Sequence, residues 1–266
     1  MDLGWFLKRR FFMAEKKTHK IVSASTGENV TNKPRPTASK PAAQATGNAG
    51  GLRVGAVLLW IAALAFEVVA IMLVFKKITF LPKIQPIYKA IGALVIDLIC
   101  VIIGSMLWKK ANHIAPASQK NAVKFWLWNN MGVIVSAIAF IPFIILLLTN
   151  KDVDKKSKTI GTIVAAVFAL GAGLASYEWN PYSREAQELA QTSSQVYWTA
   201  HGKKFHLYTD CSSLDRTEEL ITGTAQEAIE ANRGTICKFC EKRYAKELED
   251  ADTEAAEALV EAAVNE

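Results

Sequence analysis

The chain has 266 residues, 51% of them hydrophobic, a mean hydropathy of +0.15 and a formal net charge of +6. A soluble domain of this length is less apolar and spreads its apolar residues periodically, so this composition does not fit one. The positive charge does not mark a nucleic-acid binder either. It sits in the N-terminal region and the loops, while residues 178–266 carry eighteen acids against nine bases.

Residues 1–53 hold ten Lys or Arg and three acids. From residue 14 they are rich in Lys, Ser, Thr, Ala, Asn and Pro with few large apolar side chains, the composition of a disordered basic tail, either solvated or lying on anionic lipid. The stretch before Met13 differs in composition, and Met13 followed by Ala-Glu-Lys-Lys reads as an alternative start. No apolar h-region precedes residue 54, so no signal peptide is expected.

Four apolar runs follow, at about 54–75, 87–108, 125–149 and 159–177. Each is long enough at ~1.5 Å per residue to cross a ~30 Å hydrocarbon core. Lys76, Lys77, Lys109, Lys110, Lys124, Lys151 and Lys158 flank them. Trp108, Trp126, Trp128, Tyr177 and Trp179 fall at the expected interfaces. Pro142 lies inside the third run, where neighbouring helices tolerate it. Basic residues near the two membrane faces balance, so the basic tail decides the orientation. It is costly to translocate, which places the N-terminus in the cytoplasm, and four spans return the C-terminus to the same side. The expectation is a multi-pass protein of the cell membrane with a transmembrane domain over 54–178.

Two acids lie inside the spans. Glu67 and Asp97 fall at similar depth on consecutive antiparallel helices and can face each other. Intramembrane acids point to function by default, and such a pair begins a proton relay or cation site; the competing reading is a protonated or hydrogen-bonded pair that only fixes helix packing. Gly161, Ala165, Ala169 and Gly173, four apart, form a small-residue stripe. It lets backbones approach closely, within the bundle or against a second copy in a homo-oligomer.

After a polar linker over 179–195 the character changes to a soluble module at 196–245. Val196–Thr199 and Lys204–Tyr208 are β-prone around a turn near Gly202, the pattern of a hairpin. Residues 224–233 read as a helix, with Thr224 and Glu227 fitting a capping box and Gly234 a stop. The chemistry concentrates here. His206 and Cys211 form H-x4-C, and Cys237 and Cys240 form C-x2-C after a 25-residue gap. Two close ligand pairs joined by a loop are the spacing of a zinc site. Four protein ligands imply a closed, structural Zn2+ rather than a catalytic one, and a module of about 50 residues has too small a core to be secure without a staple. A redox pair lacks its βαβ context, and a disulfide is disfavoured in a reducing compartment. His201, in the turn, reads as an exposed residue. Residues 246–266 form an acidic tail, helical or disordered.

The stretch VYWTAHGKKFHLYTDCSSL, followed by GTAQEAIEANRGTICKFC, resembles a small bacterial accessory domain similar to the metal-binding module of Ada-type proteins. Such domains occur appended to secreted nucleases and to membrane proteins. The resemblance covers about residues 196–243 and implies zinc on His206, Cys211, Cys237 and Cys240. It does not imply nuclease activity, since no nuclease domain accompanies it.

Neither phosphate-binding glycine loops nor H-E-x-x-H or G-x-S-x-G motifs occur, so no enzyme is expected. The expected fold class is an α-helical membrane protein with four transmembrane helices plus a small α+β zinc-binding C-terminal module. The expected function is to display that module for binding or organising a protein partner at the bilayer. The alternative is a small proton- or ion-coupled transporter or channel bundle using Glu67 and Asp97, with the zinc module as regulator.

Overall fold

The computed structural model describes residues 19–31, 47–79, 81–192 and 194–264. The basic tail at 1–18 and 32–46, including the Met13 start, lies outside the described residues. The chain divides into two units. One comprises residues 44–184; the other combines residues 1–43 with 185–266.

The first unit is helical. Its elements are α1 (Ala49–Val74), α2 (Pro86–Ile114), α3 (Ala122–Asn129), α4 (Met131–Thr149) and α5 (Lys155–Ser176). The starts follow from local chemistry. Asn48 accepts from the Gly51 N–H at 2.8 Å, Asp154 accepts from the Ser157 N–H at 2.9 Å, and Pro86 occupies the first turn of α2, where its missing N–H costs nothing. α1, α2, α4 and α5 are each long and apolar enough to cross a bilayer.

The distribution of side-chain size within these helices is the reverse of a soluble protein. Small residues, among them Ala63, Ala70, Ala90, Ala139, Ala165 and Ala172, are fully buried, while Leu58, Ile61, Met106 and Leu170 are more than half exposed. Lipid tails are as apolar as leucine, so large side chains gain nothing by turning inward, and close backbone approach does the packing. Phe140, Phe143, Leu94 and Leu147 fill what remains of the core.

The third apolar run departs from its expected form. It is not one span over 125–149 but two helices broken at Asn130, which closes α3 and opens α4. The Asn130 amide donates to the Trp126 carbonyl at 2.9 Å and accepts from the Glu178 N–H at 3.0 Å. Such side-chain bonds to backbone compete with the helix ladder and end it. The remaining 19 residues of α4 still reach ~28 Å. Trp108, expected at an interface, is buried. It stacks between Trp60 and Trp128, and its indole N–H donates to the Trp128 carbonyl at 2.8 Å. The Arg53 guanidinium lies over the same rings. Trp126 and Trp179 stay exposed.

The small-residue stripe of α5 faces inward for half its length. Gly161 and Ala165 are buried, and Ala169 and Gly173 are half-buried. A Cβ at 161 would stand 2.5 Å from Leu147 Cδ2 and 2.8 Å from Ile87 Cδ1, so α5 meets α4 and α2 there within the bundle.

In the second unit, β1 (Lys20–Ser23), β2 (Gln195–Trp198), β3 (Phe205–His206) and β4 (Glu219–Thr224) form a sheet in the order β1-β4-β2-β3. α6 (Arg184–Gln191) occupies the stretch read as a linker, α7 (Ala225–Glu230) packs on β2 and β4, and α8 (Lys238–Val264) closes the described chain. The hairpin and the Thr224–Glu227 capping box form as expected. The helix over 224–233 ends early, at Glu230, and its stop is Asn232 with φ of 64° rather than Gly234.

The disordered tail expected over 1–53 needs correcting at residues 20–23. β1 pairs in parallel with β4, Val22 opposite Ile221, and the chain folds back through Gly27 so that Val30 donates to the Ile21 carbonyl at 2.7 Å. Ile21 and Val22 are β-prone, but two such residues in a polar, lysine-rich stretch are too short a run to read as a strand. The open edge of β4 supplies the hydrogen bonds that a lone Lys-Ile-Val-Ser cannot.

Candidate metal centre

The second unit is built around four buried side chains: His206, Cys211, Cys237 and Cys240. Their positions follow from three short connections. β3 holds Phe205 and His206, with His206 opposite Tyr197 of β2. Past Tyr208 the chain turns into a 3-10 turn at Ser212–Leu214, and Cys211 caps it, its carbonyl accepting from the Leu214 N–H at 2.8 Å. The returning chain lies parallel to Phe205. Phe205 donates to the Thr235 carbonyl at 3.1 Å, and Cys237 donates to the Phe205 carbonyl at 2.9 Å. α8 starts directly afterwards, so Cys240 stands one turn on from Cys237.

The ligand atoms lie within 4.8 Å of one another. Cys211 Sγ and Cys237 Sγ are 3.8 Å apart, and Cys240 Sγ lies 3.7 Å from His206 Nδ1. Tetrahedral ligands on bonds of about 2.3 Å stand about 3.8 Å apart, so the group already has the dimensions of a coordination sphere. All four cysteines of the chain are free thiols. The buried group could therefore hold a metal ion.

The electrostatics suit the same task. Burial, aided by the Lys204 charge, pushes His206 down to about 4, so at neutral pH its ring is uncharged with a lone pair to offer. Burial raises the Cys237 thiol, but hydrogen bonds from Ser213 and the N–H groups of Phe239 and Cys240 outweigh it and leave the thiol below its ordinary range. Burial pushes Cys240 up to about 12. A cation would reverse that, since a coordinating thiol gives up its proton.

Around the cluster, Ser213 Oγ lies 3.5 Å from Cys237 Sγ. On the outer face Arg243 pairs with Asp210 and Glu247, each at 3.0 Å, and its guanidinium covers the Tyr208 ring at 3.9 Å, while the Tyr208 hydroxyl donates to Glu247. These contacts clamp the first turns of α8 to the loop carrying Cys211. Nothing in the residue spacing marks Ser213 or Arg243; only the i,i+4 relation of Arg243 and Glu247 is visible beforehand. His201 is exposed, in keeping with its position in the turn.

The other expected pair lies in the first unit. Asp97 is fully buried and Glu67 is 5% exposed, on the facing helices α2 and α1. Comparison of the chain with protein-family models, curated proteins and solved structures returns no match. The Ada-type resemblance thus remains one of residue pattern over 196–243.

Proposed function

We propose that the chain is an integral membrane protein that carries a structural zinc module and uses it to bind or organise a protein partner at the bilayer. The closed four-ligand cluster carries this reading. One imidazole and three thiolates at tetrahedral spacing select a borderline-soft ion, and zinc is the common one. Four protein ligands leave no open position for substrate or water, so the ion maintains a surface and performs no reaction, and no enzymatic activity is assigned. Phe239, 61% exposed between the two knuckle cysteines, is the side chain best placed for a partner contact.

The β1–β4 pairing supports placing both ends of the chain on one face, because a strand before the first membrane helix completes a sheet formed after the last. The basic tail favours the cytoplasmic face of the cell membrane. Photocrosslinking in cells from position 239 tests the reading, alongside metal analysis of the purified protein. We expect one zinc per chain and a discrete crosslinked partner, both lost in Cys237→Ser/Cys240→Ser. A zinc content unchanged in that variant would remove the site, and a crosslink pattern unchanged by it would remove the display role.

A further inference from the structure

The apolar interior of the helical unit contains two carboxyl groups, and the described residues satisfy them only in part. Asp97 is 0% exposed and Glu67 5% exposed, and neither oxygen of Asp97 nor Oε1 of Glu67 has a hydrogen-bond partner. The two acids lie on the buried faces of α1 and α2, which pack against each other. The remaining contact of Glu67 is a hydrogen bond with the backbone of Phe143, the residue after Pro142 in α4. Proline has no N–H, so the α4 ladder is interrupted one residue from this contact.

Three orphaned carboxyl oxygens in such a place are expensive. Each uncompensated polar group costs about 1–3 kcal/mol, and an isolated charge far more. A packing role does not account for them. Carboxyls that served only to hold helices together would bond each other or a backbone group; Glu67 does bond the Phe143 backbone, but its Oε1 and both oxygens of Asp97 bond nothing among the described residues. A sodium ion between them could draw on all three oxygens, and a proton would satisfy those it bridges. Ala63 and Ala70, and Ala93 and Leu94, one turn from the acids on the same helices, offer no side-chain donor, and the Cys100 thiol near Asp97 is a weak one. Calcium and magnesium need six or more oxygen ligands, and three carboxyl oxygens fall furthest short for them.

We propose that Glu67 and Asp97 form a binding site for one small monovalent cation, a sodium ion or a proton, at mid-depth of the four-helix unit. The site is independent of the metal centre and of the reading given to it. Intramembrane carboxyls that bind cations lie on ion pathways, which makes this pair the place where the bundle would couple to a gradient.

The test uses the full chain, zinc-loaded, in lipid nanodiscs. Thermal unfolding is followed while sodium replaces choline at constant ionic strength, and the protonated-carboxyl infrared band is followed across pH. The wild type is compared with Glu67→Gln/Asp97→Asn, whose amides preserve shape. A sodium site raises the wild-type unfolding midpoint with sodium and leaves the variant unmoved. A proton site leaves the midpoint insensitive to sodium but shows a titrating carboxyl band that the variant lacks. A sodium shift that persists in the variant, or a wild type with neither response, overturns the proposal. If the double variant fails to fold, the single Asp97→Asn variant supplies the same comparison.

Discussion

The Cys237 N–H donates to the carbonyl of Phe205 at 2.9 Å, and this bond, beside the one from the Phe205 N–H to the Thr235 carbonyl, joins the two halves of the metal centre. It fixes the C-x2-C knuckle beside the strand that ends in His206, across 32 residues of chain. Backbone pairing thus sets His206 and the knuckle cysteines beside one another. The centre should lose its ion without collapsing, provided the sheet is intact. Chelation of the full chain is expected to remove the metal while the far-ultraviolet circular dichroism of the helical unit stays unchanged, with protease sensitivity rising between Cys211 and Tyr244.

Ser213 should tune the ion although it does not bind it. Its Oγ is 3.5 Å from Cys237 Sγ and helps hold that thiol below its ordinary range. Partners of this kind typically change metal affinity about 10–100-fold. Ser213→Ala should weaken binding by that amount in a competitive chelator titration, with the fold retained, whereas Cys237→Ser should abolish tight binding. An affinity equal to wild type in Ser213→Ala would show that the contact is incidental.

Acid should destabilise the metal-free unit, and His206 sets the sign. Its ring is held at about 4 in the folded protein, below its ordinary 6.5. Between those values the unfolded chain binds the extra proton, so stability falls as pH drops from 6.5 to 4 and this contribution is constant above 6.5. Integrated over that window, the loss for one buried imidazole is on the order of 2–3 kcal/mol. Denaturation of the chelated protein across this range should show the slope, and His206→Gln should flatten it.

Much of this was legible in the sequence for simple reasons. The ligands announced themselves because H-x4-C and C-x2-C are local spacings. The helices did so because roughly 20 apolar residues have few other uses. What was not legible depended on partners distant in the chain. Lys20–Ser23 is too short a β-prone run to read as a strand and becomes one only against β4, about 200 residues later. The break at Asn130 depends on Glu178 offering its N–H. Ser213 and Arg243 matter only because folding brings them to Cys237 and Tyr208.

Glycine at 132 should tolerate substitution less well than glycine at 161. A Cβ at 132 would meet Ser105 Cβ at 2.7 Å and Ser176 Cβ at 2.9 Å, atoms fixed to their backbones. At 161 it would meet the ends of Leu147 and Ile87, which can turn aside. Gly132→Ala should cost about 1–3 kcal/mol and Gly161→Ala less. Unfolding in mixed micelles measures the difference, and a reversed order would contradict the packing described.

The pairing of Val22 with Ile221 makes a prediction about topology that does not depend on the charge of the loops. Strands that share hydrogen bonds must share a compartment. Single cysteines at positions 25 and 242, both exposed, should react with a membrane-impermeant reagent from the same face. Labelling from opposite faces would rule out the sheet as described. If it holds, Val22→Pro should remove a ladder N–H and strip β1 from the edge of β4. The strand is only four residues long and half-buried, so its loss should leave the metal content intact. It should raise hydrogen exchange at residues 219–224, which lose their neighbour. Exchange unchanged there would mean that β1 does not protect β4 in solution, and the shared compartment would then rest on the labelling alone.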